Sequence, residues 1–267
     1  PTLIGTYGDY ELGKRANTNS TGTVKVSQIL LDGHRYQNAV ENIAGQNHGA
    51  DGSYAGYSSY GNTTNHNELT ITGGGHTDAR AGYTNAPNGG TEHNTLNLTG
   101  GSVTNAYGGY TRGRQLLKDP KSKTNPSEIL PGSKADAVHN TVHLKGSNIA
   151  ANGKVYGGYL AKNGTAPASD GNASHNTVNI EKGDFGASTE IYGGYTEGAG
   201  NATDNTVNLN SSAADAGFEG TGLGNTVIYG GGGTAAGDYY SGNTLNIGAK
   251  NILAKNIRNF AKINIKL

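Results

Sequence analysis

The chain has 267 residues, 45 of them glycine, with 33% apolar and 15% charged residues and a formal net charge of zero. That much glycine disfavours helices and that little apolar material disfavours a thick globular core, so the interior expected is a narrow one running along a coil. Zero net charge removes the electrostatic case for nucleic acid or an anionic membrane, and the absence of cysteine removes disulfides and thiolate chemistry.

In chain order, residues 7–10 are the first degenerate copy of a Tyr-Gly-Gly-Tyr phrase. The full phrase stands at 107–110, 156–159 and 192–195, with further degenerate copies at 54–57, 80–83 and 229–232. Between copies stands a second phrase, His-Asn-Thr-Val/Leu-x-Ile/Leu, at 66–71, 93–98, 139–144, 175–180, 204–209 and 242–247, degenerate in some copies. The shortest repeat, Asn67 to Asn94, is 27 residues. A unit of that size cannot bury its own apolar face and stacks on copies of itself. Three strands of about five residues plus turns use that length. The fold expected is therefore all-β, a right-handed parallel β-helix (β-solenoid) with loop insertions. It forms a single solenoid over 1–267, with repeats clearest over 54–247.

The second phrase alternates with period two, which predicts a half-buried strand. Val142, Leu144, Val178, Ile180, Val207 and Leu209 are expected inside, with Thr141, Thr177 and Thr206 outside. Identical residues in a parallel coil stack at about the interstrand spacing of 4.7–4.9 Å. Asn67, Asn94, Asn140, Asn176, Asn205 and Asn243 should then form a hydrogen-bonded amide ladder. Tyr107, Tyr110, Tyr156, Tyr159, Tyr192 and Tyr195 should form aromatic rows, with a carbohydrate or partner platform as the alternative use. The double glycine between the tyrosines reads as a corner of the coil, through a left-handed turn or a close backbone approach.

Length varies only between the tyrosine phrase and the next strand, where five prolines gather in or beside the gaps. The longest insertion, 111–138, carries Arg112, Arg114, Lys118, Lys121 and Lys123, the candidate partner loop; a disordered excursion is its competing reading. Residues 248–267 read as a C-terminal strand pair. The stretch from Tyr239 onward is basic, with Lys250, Lys255, Arg258, Lys262 and Lys266 and no acid. His66, His93, His139 and His175 share one register, as spacers near a turn or as stacked imidazoles open to a transition metal. A straight stack lacks the convergence that a metal site needs. The acids are dispersed, and no catalytic, phosphate-binding or calcium-repeat motif is found. No enzyme activity, cofactor or metal is expected.

The tandem Asn-Thr-Val-Asn-Ile and Val/Ile-Tyr-Gly-Gly-Tyr phrases, with Asn256-Ile-Arg-Asn-Phe-Ala-Lys-Ile-Asn-Ile265 after them, resemble passenger domains of autotransporter (type V secreted) proteins of Gram-negative anaerobes. The resemblance implies an extracellular β-helix at the bacterial outer-membrane surface, acting as an adhesin or stalk. Its partner would be a host or bacterial surface protein or glycan. The alternative is a subunit of a filament formed by copies of the chain end to end, and a carbohydrate-active β-helix enzyme is the lesser one. With no methionine, the chain is expected to be processed from, or an excerpt of, something longer. No stretch approaches the ~18 apolar residues of a membrane span, and none reads as a signal peptide.

Overall fold

The computed structural model describes residues 6–7, 10–15, 21–31, 34–44, 53–58, 64–84, 90–112, 135–162, 171–213 and 216–266. Its strands, in chain order, are β1 (Thr6–Tyr7), β2 (Tyr10–Arg15), β3 (Thr21–Leu31), β4 (His34–Ala44), β5 (Ser53–Ser58), β6 (Thr64–Gly73), β7 (Gly75–Thr84), β8 (Thr91–Glu92), β9 (Thr95–Leu98) and β10 (Ser102–Arg112). They continue with β11 (Ala137–Val138), β12 (Thr141–Ala161), β13 (Ala173–Ser174), β14 (Thr177–Phe185), β15 (Glu190–Thr196), β16 (Thr206–Leu209), β17 (Val227–Gly233), β18 (Thr244–Ile247), β19 (Asn256–Arg258) and β20 (Lys262–Ile265).

These strands build a parallel β-solenoid in three columns. The Asn-Thr-Val column runs β6, β9, the start of β12, β14, β16, β18 and β20, each parallel to the next. The tyrosine column runs β5, β7, β10, the end of β12, β15, β17 and β19. A third column of two-residue strands, β8, β11 and β13 above the start of β6, closes the coil. Insertions are tolerated without loss of register: Leu96, Val142, Val178, Val207 and Leu245 stack in a line, although Leu96 and Val142 lie on either side of the longest insertion.

The core is the thin one that the composition demands. Val142, Leu144, Val178, Ile180, Val207 and Leu209 are fully buried, facing Val155, Ile191 and Ile228 of the tyrosine column. Thr141, Thr177 and Thr206 lie half-buried on the outer side. A smaller apolar row, Ala137, Leu160, Ala173 and Ala202, fills the space beside the third column. Each buried Val, Leu or Ile contributes about 1.5–3 kcal/mol, so a few per rung suffice when the rungs also share backbone ladders.

Three expectations need correction. The parallel coil does not run the full length, because β3 lies antiparallel on β6, β4 on β3, and β2 on β5. Antiparallel strands there occupy the N-terminal sheet edges, which would otherwise offer unpaired N–H and C=O groups. Tyr7 and Tyr10 do not follow the parallel repeat: they pair with each other between the antiparallel β1 and β2. Nor is the double glycine a left-handed corner. Gly108–Gly109, Gly157–Gly158 and Gly193–Gly194 lie inside continuous strands, and none has positive φ. The in–out alternation slips by one at the first glycine, so both tyrosines of a phrase reach the same outer cluster.

The left-handed corners fall on the residue before the ladder asparagine. His66, His93, His139, His175, Asp204 and Gly242 have φ between 52° and 69°. Among residues with a side chain, Asn, Asp and His adopt that region most readily. The shared histidine register is thereby explained by backbone geometry.

Candidate functional site

The six ladder asparagines are all buried and joined end to end. The Nδ2 of each of the first five donates to the Oδ1 one rung on, at 2.9 Å from Asn67 to Asn94, 2.9 Å from Asn94 to Asn140 and 3.2 Å from Asn140 to Asn176. The spacing continues at 3.1 Å from Asn176 to Asn205 and 3.2 Å from Asn205 to Asn243. The same Oδ1 also accepts from the backbone N–H of the preceding ladder residue. The second Nδ2 proton goes back to a carbonyl of Thr64, Thr91, Ala137, Ala173 or Ala202 at 2.8–3.0 Å. Between Asn94 and Asn205 every amide is therefore satisfied on both sides. At the N-terminal end, the buried Asn67 Oδ1 accepts from no described donor.

The second glycine of each tyrosine phrase exists to make room for this ladder. A Cβ on Gly82, Gly109 or Gly158 would lie 2.4 Å from the Nδ2 of Asn94, Asn140 or Asn176. Of the two uses open to the double glycine, the close approach is the one realised.

The tyrosines form two rows on the outer face. Tyr107, Tyr156, Tyr192 and Tyr229 stack nearly parallel with centroids 5.1, 5.2 and 4.5 Å apart. Tyr110, Tyr159 and Tyr195 stack beside them at 5.1 and 5.5 Å. The rows meet edge to face, as in Tyr156–Tyr159 at 4.7 Å. Because ring faces are turned on one another, a sugar ring finds edges there and not stacking faces. The hydroxyls are engaged as well: Tyr159 donates to Glu197 at 2.6 Å and Tyr192 to Glu190 at 2.9 Å. Burial, with those carboxylates second, pushes the phenols of Tyr159 and Tyr192 well above their ordinary range, so they stay protonated.

One member of this cluster is not a tyrosine. Arg80 stands in register between Tyr54 and Tyr107 and is 8% exposed. Its guanidinium carbon lies 4.7 Å from the Tyr83 centroid and 4.5 Å from that of Tyr110, with an ion pair to Asp78 at 3.4 Å. Cation–π contacts of this kind contribute about 0.5–2 kcal/mol each. Arg80 takes the first position of the degenerate phrase at 80–83, and the column register is the signal that identifies its role.

The four histidines are exposed and stacked, with centroids 5.0, 4.9 and 5.1 Å apart. The insertion between His93 and His139 does not displace that rung. Two nitrogens bound to one tetrahedral zinc at about 2.0–2.1 Å stand no more than roughly 3.4 Å apart, closer than the near-parallel His66–His93 and His93–His139 stacks bring equivalent atoms. No group of three or more metal-ligating side chains converges among the described residues. His139 is held below the ordinary imidazole range by burial first, then by His93 and His175, against an opposing Glu92.

A second polar ladder was not read from the sequence. The residue between the two apolar positions of the strand phrase stacks on the outer face, and Asn208, Asn246 and Asn264 each donate to the Asn one rung back at 2.6–2.7 Å. The buried His76 is a further omission. Its Nε2 faces the Gly73 carbonyl at 3.1 Å and must donate, so Nδ1 accepts from the Ser53 hydroxyl at 2.9 Å. At 5% exposure this pair is a tether between rungs.

Of the candidate partner loop, Arg112 ends β10, while Arg114, Lys118, Lys121 and Lys123 lie outside the described residues. The strands flanking residues 85–89, 113–134 and 163–170 belong in each case to the tyrosine column and then the third column. No helix among the described residues is long and apolar enough to cross a membrane. With the fold established as a parallel β-solenoid, comparison with family models, curated proteins and solved structures finds no match to this chain.

Proposed function

We propose that the chain is a non-catalytic adhesive or stalk segment of an extracellular, autotransporter-like β-solenoid displayed at a bacterial outer-membrane surface. The observation that carries this reading is the self-consumption of its polar chemistry. Asn pairs with Asn and Tyr with Tyr along the axis, and Glu190 and Glu197 are committed to tyrosine hydroxyls. Such a stack makes a stiff rod with regular sides and places variable-length connections between the same two columns, the arrangement by which solenoids contact partners. The partner class is a surface protein or glycan reached through those connections. A filament built by repeated head-to-tail contact is disfavoured by the antiparallel strands already seated on β5 and β6.

The test couples the purified chain to beads and measures retention on bacterial and host-cell surfaces under flow. A version with residues 113–134 replaced by a short Gly-Ser linker runs beside it, and release of reducing sugar from polysaccharides is assayed in parallel. Retention that drops on linker replacement, with no sugar released, is the expected result. Catalytic sugar release overturns the non-catalytic reading, and absence of retention by the intact chain overturns the adhesive one.

A further inference from the structure

The chain holds 16 tyrosines and no cysteine, methionine or tryptophan. The sulfur side chains that oxidants usually attack are therefore missing, and the phenols are the groups that give up an electron most readily. They are also connected. From Tyr54 along both rows to Tyr229, successive ring centroids lie 4.5–5.8 Å apart. Rings this close exchange an electron without any bond being made, so a vacancy opened on one ring moves along the rows. Tyr110, Tyr195 and Tyr229 are partly exposed and give entry, while Tyr156, Tyr159 and Tyr192 are buried.

Protons decide where the vacancy stops. Burial keeps the phenols of Tyr159 and Tyr192 protonated, so the electron does not leave from a phenoxide. A phenol that loses an electron becomes a strong acid, and inside the rows its proton needs a base at hydrogen-bond distance. Tyr159 has Glu197 at 2.6 Å and Tyr192 has Glu190 at 2.9 Å. Glu197 is held by the Lys162 N–H on its other oxygen at 2.7 Å, and Glu190 by Lys154 at 2.9 Å. At the opposite end of the rows, Arg80 sets a fixed positive charge 4.5 Å from the Tyr110 centroid and 5.4 Å from that of Tyr107. Removing an electron beside that cation is electrostatically unfavourable, which drives the vacancy toward the carboxylates.

We infer that the tyrosine rows are a one-electron relay and radical store. They take an electron vacancy from a small one-electron oxidant and hold it as a neutral phenoxyl radical on Tyr159 or Tyr192. The oxidant gains the electron, the O–H bond of Tyr159 breaks, and its proton forms an O–H bond on Glu197; at Tyr192 the proton goes to Glu190. An electron from a one-electron donor such as ascorbate, with return of that proton, restores the phenol. Burial keeps the stored radical from coupling to a second chain. This goes beyond the adhesive reading, because no cell surface, glycan or partner enters it.

The experiment supplies the purified chain with ruthenium tris-bipyridine, whose flash-excited state persulfate converts to the oxidant. Electron paramagnetic resonance follows the tyrosyl signal, with free tyrosine at equal phenol concentration as the reference. The signal in the chain is expected to decay about tenfold or more slowly than the reference. Glu190→Gln with Glu197→Gln keeps an acceptor oxygen for each hydroxyl but removes the base, and should shorten the lifetime about tenfold or more. Glu181→Gln, whose carboxylate pairs with Lys145 in the Asn-Thr-Val column, should leave it unchanged. Circular dichroism checks that each variant is folded. A signal no longer-lived than that of free tyrosine overturns the inference whatever the variants do. So does a folded double-glutamine variant that keeps the parent's lifetime, or dityrosine fluorescence that grows between chains as fast as in free tyrosine.

Discussion

If the buried amide ladder holds the rungs in register, the same substitution should cost very different amounts at its middle and at its start. Asn140→Ala removes the Oδ1 that accepts from the Asn94 backbone N–H at 3.1 Å and from Asn94 Nδ2 at 2.9 Å, and the Nδ2 that donates to the Thr91 carbonyl at 2.9 Å. Three buried polar groups lose a partner, while Asn176 Oδ1 keeps its bond from the Asn140 N–H. At about 1–3 kcal/mol for each group left unsatisfied, the expected loss is about 3–9 kcal/mol. Asn67→Ala strands nothing of the kind. No described donor uses Asn67 Oδ1, and Asn94 Oδ1 still accepts from the Asn67 N–H. The loss there should be about 1 kcal/mol, the net value of one hydrogen bond. Asn140→Asp keeps the shape but turns an oxygen toward the Thr91 carbonyl, and should be at least as damaging as alanine. Urea unfolding followed by tyrosine fluorescence and by far-UV circular dichroism reads all three. Both probes are needed, because repeat arrays can lose cooperativity when one rung fails. Equal costs at positions 67 and 140, or both below about 1 kcal/mol, would refute the ladder as a source of stability.

Gly158→Ala places a methyl 2.4 Å from Asn176 Nδ2, whereas a Cβ at Gly75 meets nothing within 4 Å; thermal melts should show a loss of about 1–3 kcal/mol for the first and no loss for the second. Val178→Asp buries a carboxylate at a fully buried position and should cost about 3–5 kcal/mol, so an unchanged melting temperature would mean the strand faces the other way. The imidazoles of His139 and the buried His76 are both held below their ordinary range, chiefly by burial, so the unfolded chain binds more protons in acid. Their contribution to stability is complete above about pH 6.5 and falls as pH drops through that value. Replacing the four column histidines by Asn, which tolerates left-handed φ, should make the decline between about pH 7 and 5 shallower; an unchanged slope would assign all of it to other groups.

Stacking made much of this fold legible. When a rung repeats, a residue in the sequence becomes a column in space, so period two gave the inward Val178 and Ile180 and the phrase register gave the asparagine ladder. The left-handed corner was hidden because His93 and His139 carry no glycine to mark it, and the double glycine, which usually marks a turn, serves a close approach instead. Arg80 was hidden because its role exists only between Tyr83 and Tyr110 of its own and the following rung. The antiparallel N-terminal strands were hidden for a different reason: neither repeat phrase runs through β3 or β4, so no column register places them.

Strand direction gives the two ends of the rod different chemistry. The inner ladder donates toward the C-terminus and begins with an unused acceptor at Asn67, while the outer ladder donates toward the N-terminus and ends with one at Asn264. The ion pairs share that direction, since Lys145, Lys154 and Lys182 each find a carboxylate one rung further on. Antiparallel strands can close the N-terminal end because they require only backbone pairing with β5 and β6.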